Sequence, residues 1–442
     1  MMGMGMGMGG ALLVALLILL VLLLHIPSLA SSTATLNYTT HHHLSSLRLE
    51  RIQTHLRKIN KPPLLSIQSP DGDVIDCVHK KRQPALDHPL LKGHKIQKAP
   101  REMPRGMKMK KEEVDDDDDE IVWQMWHRNG TRCPRGTVAI RRSSVKDVLR
   151  AKSLYHFGKK PQPQPHPNNL FNPTSSSLRT DVVSGNGHEH AIAYTATGAS
   201  SEVYGAKATI NVWDPSIQVV NEFSLSQIWI LSGSFDGTDL NSIEAGWQVH
   251  TYIHTYILLN TFLFSNFMIA LDRSVRSFMV TADPDYSLIG RIAIGAAISP
   301  VSSFDANQYD ITILIWKDPK VGNWWMSFGD NTLVGYWPAE LFTHLAEHAT
   351  MVEWGGEVVN TRPNNQHTST QMGSGHFPDD GFGKASYFRN LEIVDTDNTL
   401  SAVQNIQTLA ENTNCYDIKS SYSSDWGTYF YFGGPGRTPL CP

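Results

Sequence analysis

The sequence predicts an all-β fold, a sandwich or a barrel, for its C-terminal part. The aromatic residues, including eleven Trp and fourteen Tyr, lie mostly after Tyr194, and long amphipathic runs are few. From His190 onward, short apolar or alternating runs are separated by Gly, Pro, Asn and Asp, a pattern typical of strands joined by turns. The predicted strands are Ala191–Thr195, Gly205–Val212, Gln227–Leu231, Ser242–Val249, Ile292–Ile298, Tyr309–Trp316, Trp324–Phe328, Thr332–Trp337, Met351–Val359 and Tyr429–Phe432, with one helix between Pro338 and Ala349.

The 442 residues exceed one ordinary core, so we expect two folded units with linkers. Helical spacing of apolar residues from Leu44 to Ile59 ends at Pro62-Pro63, and Val145 to Leu154 predicts a second helix. The charge run 108–120 indicates a solvated linker, with calcium binding as a weaker alternative. The Pro/Gln/His/Asn-rich stretch 161–173 marks the domain boundary and a site for proteolytic cleavage.

The N-terminus predicts a secretory signal peptide over residues 1–30. Ala11 to Leu24 is nearly all Leu, Val, Ile and Ala, and Ala30 supplies a small residue at the cleavage point. The usual basic residues before the apolar run are missing, so an uncleaved signal anchor is the alternative. We expect secretion, without stable membrane association.

Four cysteines suit an oxidising compartment and permit three pairings. Nearness in sequence favours Cys77–Cys133 and Cys415–Cys441, with four free thiols as the alternative. The sequons at Asn37 and Asn129 predict glycans. The formal charge of −4 and the pI near 6.5 give no reason to expect a nucleic-acid partner.

Several long motifs resemble the neprosin family of plant glutamic peptidases. In the C-terminal part they are Asn221-Glu222-Phe223-Ser224-Leu225-Ser226-Gln227-Ile228-Trp229, Ser242-Ile243-Glu244-Ala245-Gly246-Trp247, Gln308-Tyr309-Asp310-Ile311, Glu353-Trp354-Gly355-Gly356-Glu357-Val358, Gln371-Met372-Gly373-Ser374-Gly375-His376 and the tail from Asp425-Trp426-Gly427 to Gly433-Gly434-Pro435-Gly436. Upstream, Asp76-Cys77-Val78-His79 and Pro84-Ala85-Leu86-Asp87-His88-Pro89 resemble the family's activation peptide.

The resemblance implies an antiparallel β-sandwich catalytic domain preceded by a small α/β activation domain. It divides the chain into the signal peptide, an activation peptide at 44–155, a linker at 156–185 and a peptidase domain at 186–442. It also implies an acid-activated endopeptidase, secreted to the apoplast or cell wall, that favours proline sites and has a removable propeptide acting as its own inhibitor. We expect a monomer without a cofactor or metal, acting on peptide or protein substrates, including Pro-rich ones.

Peptide hydrolysis without metal or covalent intermediate needs one carboxylate as base and one carboxylic acid as proton donor. Two close carboxyls titrate as a coupled pair and supply both forms in an acidic window. The resemblance places the two catalytic glutamates at Glu244 and in the Trp-Gly-Gly motif, where we favour Glu357 over Glu353. Glu353 and Glu357 can lie on the same face of one strand, because side chains alternate between the two faces. Solvent-facing or salt-bridged structural glutamates are the alternative.

Other side chains are candidates for binding the substrate. Gln227 either stabilises the tetrahedral oxyanion or serves as a structural hydrogen-bonding residue. The aromatic residues proposed to line a substrate cleft, with core packing as the alternative, are Trp229, Trp247, Trp354 and Tyr336.

Competing catalytic classes find little support in the sequence. No Asp-Thr-Gly, Asp-Ser-Gly or Gly-x-Ser-x-Gly motif is present. His344, Glu347 and His348 match the H-x-x-E-H pattern of inverted zincins and would share a face if helical. A zinc peptidase is therefore a minor alternative, while His41 to His43 and His188-Glu189-His190 are interpreted as solvated histidines.

Residues 250–291 depart from the family pattern and lack its cysteine-bridged loop. We interpret them as a mis-assigned exon boundary or a divergent splice form that replaces one or two strands close after Glu244. The rival hypothesis is therefore a catalytically impaired, secreted sandwich that binds cell-wall polymers or peptides through aromatic residues.

Overall fold

The computed structural model describes residues 46–107, 124–150, 154, 157, 187–195, 202–233, 240–250, 261–269, 279–281, 292–329 and 332–442. The chain divides into two compact units, residues 1–54 and 55–442. Of the first unit, the structure describes residues 46–54, which begin helix α1 (Ser46–Ile59).

Strands dominate the described part of the chain. The second helix is α2 (Val145–Arg150), and none of the helices among the described residues has the length and apolar character needed to cross a bilayer. The strands are β1 (Pro63–Gln68), β2 (Val74–His79), β3 (Thr137–Arg141), β4 (His188–Thr195), β5 (Gly205–Asn211), β6 (Phe223–Ser232), β7 (Asn241–His250), β8 (Thr261–Ile269), β9 (Val280–Thr281), β10 (Ala297–Ile298), β11 (Asp310–Lys317), β12 (Trp324–Phe328), β13 (Thr332–Trp337), β14 (Met351–Val359), β15 (Ser386–Val394), β16 (Leu400–Ala402), β17 (Ile406–Ala410), β18 (Asp417–Ser423) and β19 (Gly427–Gly433).

The strands form three antiparallel sheets. The small sheet has the order β1-β2-β3. Sheet I has the order β10-β8-β7-β6-β14-β4-β17. Sheet II has the order β18-β19-β15-β5-β11-β12-β13-β9, and β16 pairs with β15.

Sheets I and II pack face to face as a sandwich. Because side chains alternate along a strand, Ile228 and Ile230 of β6 and Ala208 and Ile210 of β5 point into one shared apolar core. The Trp247 indole of sheet I lies in the same core and donates a hydrogen bond to the Asn211 carbonyl oxygen at 2.9 Å. These residues of the inner face of sheet I thus pack against sheet II, so the outer face is where we look for a site.

The small sheet belongs to an N-terminal α/β module. Ile75, Cys77, Trp126 and Ala139 form an apolar cluster together with Ala293 and Ala296 from the segment before β10. The Cys77–Cys133 disulfide closes within this module, and Cys415–Cys441 closes within the sandwich, so the pairing predicted from sequence is confirmed.

Most predicted strands are present, and β12, β13 and β14 have the predicted bounds. Of the predicted strand Ile292–Ile298, only Ala297–Ile298 is a strand. The helix predicted between Pro338 and Ala349 is wrong: one 3₁₀ turn at Ala339–Leu341 is followed by turns. The predicted signal peptide, Asn37, the charge run 108–120 and nearly all of the linker 156–185 lie outside the described residues.

The segment that departs from the family pattern does not interrupt β7. Strand β7 continues to His250, and β8 pairs with it from Asn241↔Ile269 to Gln248↔Phe262. A strand partner for β7 is therefore formed by the divergent sequence itself.

Candidate active site

Two glutamates lie in one row of sheet I, on its outer face. Glu353 of β14 stands opposite Trp229 of β6, and Trp229 stands opposite Glu244 of β7. Residues directly opposite in a sheet share a face, so both carboxylates point to the same side. Neighbouring strands lie about 4.8 Å apart, which puts the backbones of β14 and β7 about 10 Å apart with the Trp229 indole between them.

Gln227 occupies the next row on this face, flanked by two glycines. Gly355 of β14 and Gly246 of β7 both pair with it. A Cβ on Gly246 would come within 2.0 Å of the Ser226 carbonyl oxygen and 2.5 Å of the Gln227 Cα, so only glycine permits this close strand approach. Gln227 is thus the one side chain that these three strands present in that row.

Hydrogen bonds fix the Glu244 carboxylate. The Gln227 amide Nε2 donates to Oε2 at 3.0 Å, and the Ser242 hydroxyl donates to Oε1 at 2.9 Å. Both carboxylate oxygens therefore act as acceptors. Glu244 is 2% exposed, so these donors replace hydration that the carboxylate loses on burial.

Glu353 is equally buried, at 2% exposed, and has Tyr194 of β4 directly opposite on its other side. Burial raises the pKa of the Tyr194 phenol, and the negative charge of Glu353 raises it further. The two glutamates therefore have different neighbours: amide and hydroxyl donors at Glu244, and aromatic rings on both sides at Glu353.

Apolar side chains surround the row and form a cluster separate from the sandwich core. Its buried members are Ile192, Tyr194, Leu225, Trp229, Leu231, Leu240 and Met351. Such surroundings strengthen electrostatic interactions and make it costly to bury two negative charges in one row.

Glu357, which we favoured as the second catalytic residue, lies elsewhere on the same face. It is four residues beyond Glu353 on β14, which is about 13 Å along an extended strand. Its row partners are His190 and Leu225, and not Trp229 or Glu244. One oxygen is hydrogen-bonded to His188 Nδ1, and the other lies 3.8 Å from His190 Nε2. The register therefore favours Glu353 over Glu357.

The interpretation of His188 and His190 as solvated is wrong, because both are buried. Their place on β4 brings them beside Glu357, and Glu411 lies 3.5 Å from His190 Nδ1. Their spacing in the sequence could have indicated that the two histidines lie together, since residues two apart on a strand share a face.

The structure separates the four aromatic candidates. Trp229 lies between the two glutamates. Trp247 and Trp354 sit in the sandwich core, because their positions on β7 and β14 have the opposite parity to those of Glu244 and Glu353. Tyr336 lies on sheet II, where its hydroxyl contacts His94 and Gln97. Of the four, Trp229 alone lies beside the two glutamates.

The zinc alternative loses its geometric basis. Residues 343–348 form turns, so His344 and His348 do not share a helix face. Another metal-ligand grouping among the described residues is His367 with Cys415 and Cys441, but both sulfurs are bonded to each other in the disulfide.

Sequence reasoning missed Ser242 and Tyr194. Ser242 lies two residues before Glu244, where strand alternation puts it on the same face. Tyr194 could be placed only through the register of β4 against β14.

Similarity to known proteins covers both parts of the chain. The family model described as Neprosin matches residues 220–435, and the model described as Neprosin activation peptide matches residues 66–194. Among solved structures, scytalido-glutamic peptidase with a peptide-based transition state analog matches at 11% identity and a TM-score of 0.29, covering 56% of this chain and 98% of that one. A member of the Eqolisin family of peptidases, SCP-B in complex with the tripeptide Ala-Ile-His, matches at 11% identity and a TM-score of 0.28, with the same coverage.

Matches with TM-scores this low say nothing about the site. The two family models, by contrast, match successive parts of the chain, with the activation peptide before the neprosin domain. The chain belongs to the neprosin family.

Proposed function

We propose that the protein is a secreted glutamic endopeptidase whose acid–base pair is Glu244 and Glu353. Membership of the neprosin family supports a peptidase. The observation that carries the assignment of the pair is the single row Glu353–Trp229–Glu244 on the outer face of sheet I.

Glu244 is the proposed base. Its two hydrogen-bond donors hold an ionised carboxylate in a fixed orientation, ready to accept a proton from water. The water oxygen attacks the peptide carbonyl carbon, and the carbonyl π electrons move to the oxygen to form the tetrahedral oxyanion. Gln227 Nε2 carries a second N–H, which is the proposed oxyanion donor.

Glu353 is the proposed acid. Its carboxylic proton passes to the amide nitrogen as the C–N bond breaks, which yields a free carboxyl and a free amine. Because two carboxyls in an apolar setting resist ionising together, one is charged and the other neutral in an acidic window. General acid–base assistance of this kind contributes roughly 10²- to 10⁴-fold in rate.

Proline selectivity, secretion and acid activation complete the proposal. The apolar side chains around the row suit a pyrrolidine ring, and two formed disulfides suit an oxidising compartment. In this proposal the activation peptide keeps the enzyme latent near neutral pH, and acidification leads to cleavage within 159–173 and release.

The test is an endopeptidase assay on a denatured Pro-rich protein and on a Pro-poor one. The full chain should cleave the first after acidification, without inhibition by a chelator, and Glu244→Gln should abolish cleavage while keeping the fold. Equal cleavage by wild type and Glu244→Gln, or chelator-sensitive cleavage, would contradict the proposal.

One surface favours a second function, the binding of a wall polymer. Phe382 is 58% exposed and contacts Trp426, with ring centroids 5.7 Å apart. Trp426 in turn stacks at a tilt on Tyr387 at 4.7 Å, and the Arg389 guanidinium lies over it at 5.6 Å. Such a supported aromatic surface suits stacking with sugar rings. Pull-down by insoluble polysaccharide, lost in Trp426→Ala and kept in Glu244→Gln, would separate this function from hydrolysis.

A further inference from the structure

Residues 83–107 of the activation peptide, the docking segment, lie against the outer face of sheet II. Beneath the segment, Trp316, Trp325 and Tyr336 stand side by side on β11, β12 and β13, and all are fully buried. Ala85 and Leu91 of the segment belong to the same apolar cluster as these three residues. Ile313 and Ile315 of β11 pair with the core residues Ala208 and Ala206 of β5, and Trp316 has the opposite parity. The row that begins at Trp316 therefore faces away from the sandwich core, and the segment covers it.

The Tyr336 hydroxyl is a polar anchor in the middle of this surface. It lies 2.8 Å from His94 Nε2 and accepts a hydrogen bond from the Gln97 backbone N–H at 2.9 Å. The Tyr336 ring stacks at a tilt on Trp325 at 4.7 Å, which holds the hydroxyl in place. One side chain thus fixes two positions of the segment.

Gln83 closes the edge of sheet II at one end of the segment. Its side-chain Nε2 donates to the Thr281 carbonyl oxygen at 3.2 Å, and its Oε1 accepts from the Thr281 N–H at 2.7 Å. The amide group therefore acts as a neighbouring strand would toward the edge strand β9.

Backbone contacts hold the other end. The Arg105 N–H donates to the Asn398 carbonyl oxygen at 2.7 Å, and the Leu400 N–H donates to the Arg105 carbonyl oxygen at 2.9 Å. Between this end and the anchor, the Arg101 N–H donates to Asp318 Oδ2 at 2.6 Å. Extended peptides bind exposed sheets by this combination of backbone bonds and side-chain pockets.

Neither disulfide links the docking segment to the sandwich. Cys77–Cys133 closes within the N-terminal module, and Cys415–Cys441 closes within the sandwich. After a cut between residues 158 and 186, only non-covalent contacts would hold the two pieces together.

We propose that the outer face of sheet II is a peptide-docking surface that retains residues 83–107 after the chain is cut, so that cleavage and release are separate steps. The surface lies on the other sheet from the Glu244–Glu353 row. Occupation of this surface and access to the glutamates are therefore distinct events.

The experiment uses the full chain with a recognition site for a specific exogenous protease inserted after residue 165. Because that protease makes the cut, the result does not depend on the protein's own proposed activity. After cutting near neutral pH, both fragments should co-elute in gel filtration, and the Gln97, Arg101 and Arg105 amides should keep their protection from hydrogen exchange. Full separation of the fragments, or loss of that protection on cutting, would overturn the proposal.

Tyr336→Phe removes the anchor hydroxyl and keeps the ring, and it should speed fragment dissociation about tenfold or more, as expected for two lost hydrogen bonds. Tyr387→Phe is the matched control, because its hydroxyl is also on sheet II but bonds to Asp310. Equal dissociation rates for the two variants would also contradict the proposal. The exchange measurement on wild type decides the outcome if Tyr336→Phe does not fold.

Discussion

The buried glutamates among the described residues of the sandwich differ in the groups that their oxygens contact. Glu222 is fully buried, accepts hydrogen bonds from Thr361, Thr368 and Thr370, and thereby ties loops together. Glu357 pairs with histidines, whereas Glu244 has Gln227 and Ser242. A sequence shows only the residue type, so roles that depend on contacts across strands could not be predicted from it.

Ser242 is expected to position Glu244. Ser242→Ala removes a hydrogen bond to a charged group, worth about 1.5–3 kcal/mol, so kcat/KM should fall roughly 10- to 100-fold. The ionised carboxylate loses a donor, and the acidic limb of the pH profile should therefore move to higher pH.

Ser226→Ala is the matched control for Ser242→Ala, because Ser226 is buried on the neighbouring strand but lies in the row of Trp247, which faces the core. A pH profile of Ser242→Ala that coincides with those of wild type and Ser226→Ala would show that Ser242 has no positioning role.

Asp214 should contribute more to the free energy of unfolding at acidic pH than near pH 8. Burial raises the pKa of its carboxyl from 3.8 to about 6, so the folded state binds a proton more tightly than the unfolded state does. Stability from this group is therefore lost as the pH rises from about 4 to about 6, by up to about 3 kcal/mol. Asp214→Asn should raise the free energy of unfolding by about 1–3 kcal/mol near pH 8 and leave it nearly unchanged near pH 4.

Urea unfolding at the two pH values checks the prediction for Asp214, with the exposed Asp425→Asn as control. An equal effect of Asp214→Asn at both pH values would contradict it.

Among the strands, those buried on both faces could be predicted from sequence, because continuous apolar runs define them. Strands such as β18 were missed, since Asp417–Ser423 carries polar, exposed residues at the sheet edge. Register could not be predicted at all. It depends on partner strands, and it is the basis on which Glu353 and not Glu357 is proposed.

The docking segment should bind more weakly as the pH falls. Burial lowers the pKa of His94, and the negative charge of Glu340 offsets part of this effect. The free segment takes up a proton first as the pH drops below about 6.5, so the docked state loses stability on acidification. His94→Gln does not titrate and can still bond to the Tyr336 hydroxyl.

Hydrogen exchange at residues 94–105, corrected for intrinsic rates, measures docking of the segment near pH 7.5 and near pH 5.5, on either side of the ordinary histidine pKa. Protection should fall on acidification in wild type and change less in His94→Gln. The same pH dependence in both proteins would contradict the assignment to His94.

At the scale of the whole molecule, the two sheets of the sandwich offer two separate outer surfaces. Sheet I presents the glutamate row, and sheet II presents the aromatic surface under the docking segment. The order of the activation and neprosin domains and both disulfides could be predicted from motifs and cysteine spacing. The sequence could not predict on which face of its sheet each aromatic residue lies. For Trp247, Trp354 and Tyr336, the face that is buried in the core depends on how one sheet packs on the other.

The central claim is that Glu244 and Glu353, brought into one row by the register of β6, act as the catalytic base and the catalytic acid. The most direct measurement compares kcat/KM of Glu244→Gln, Glu353→Gln and Glu357→Gln on one peptide, with folding checked by thermal unfolding. We expect losses of roughly 10²-fold or more for the first two, and less than about tenfold for Glu357→Gln. An inactive, folded Glu357→Gln beside an active Glu353→Gln would contradict this account.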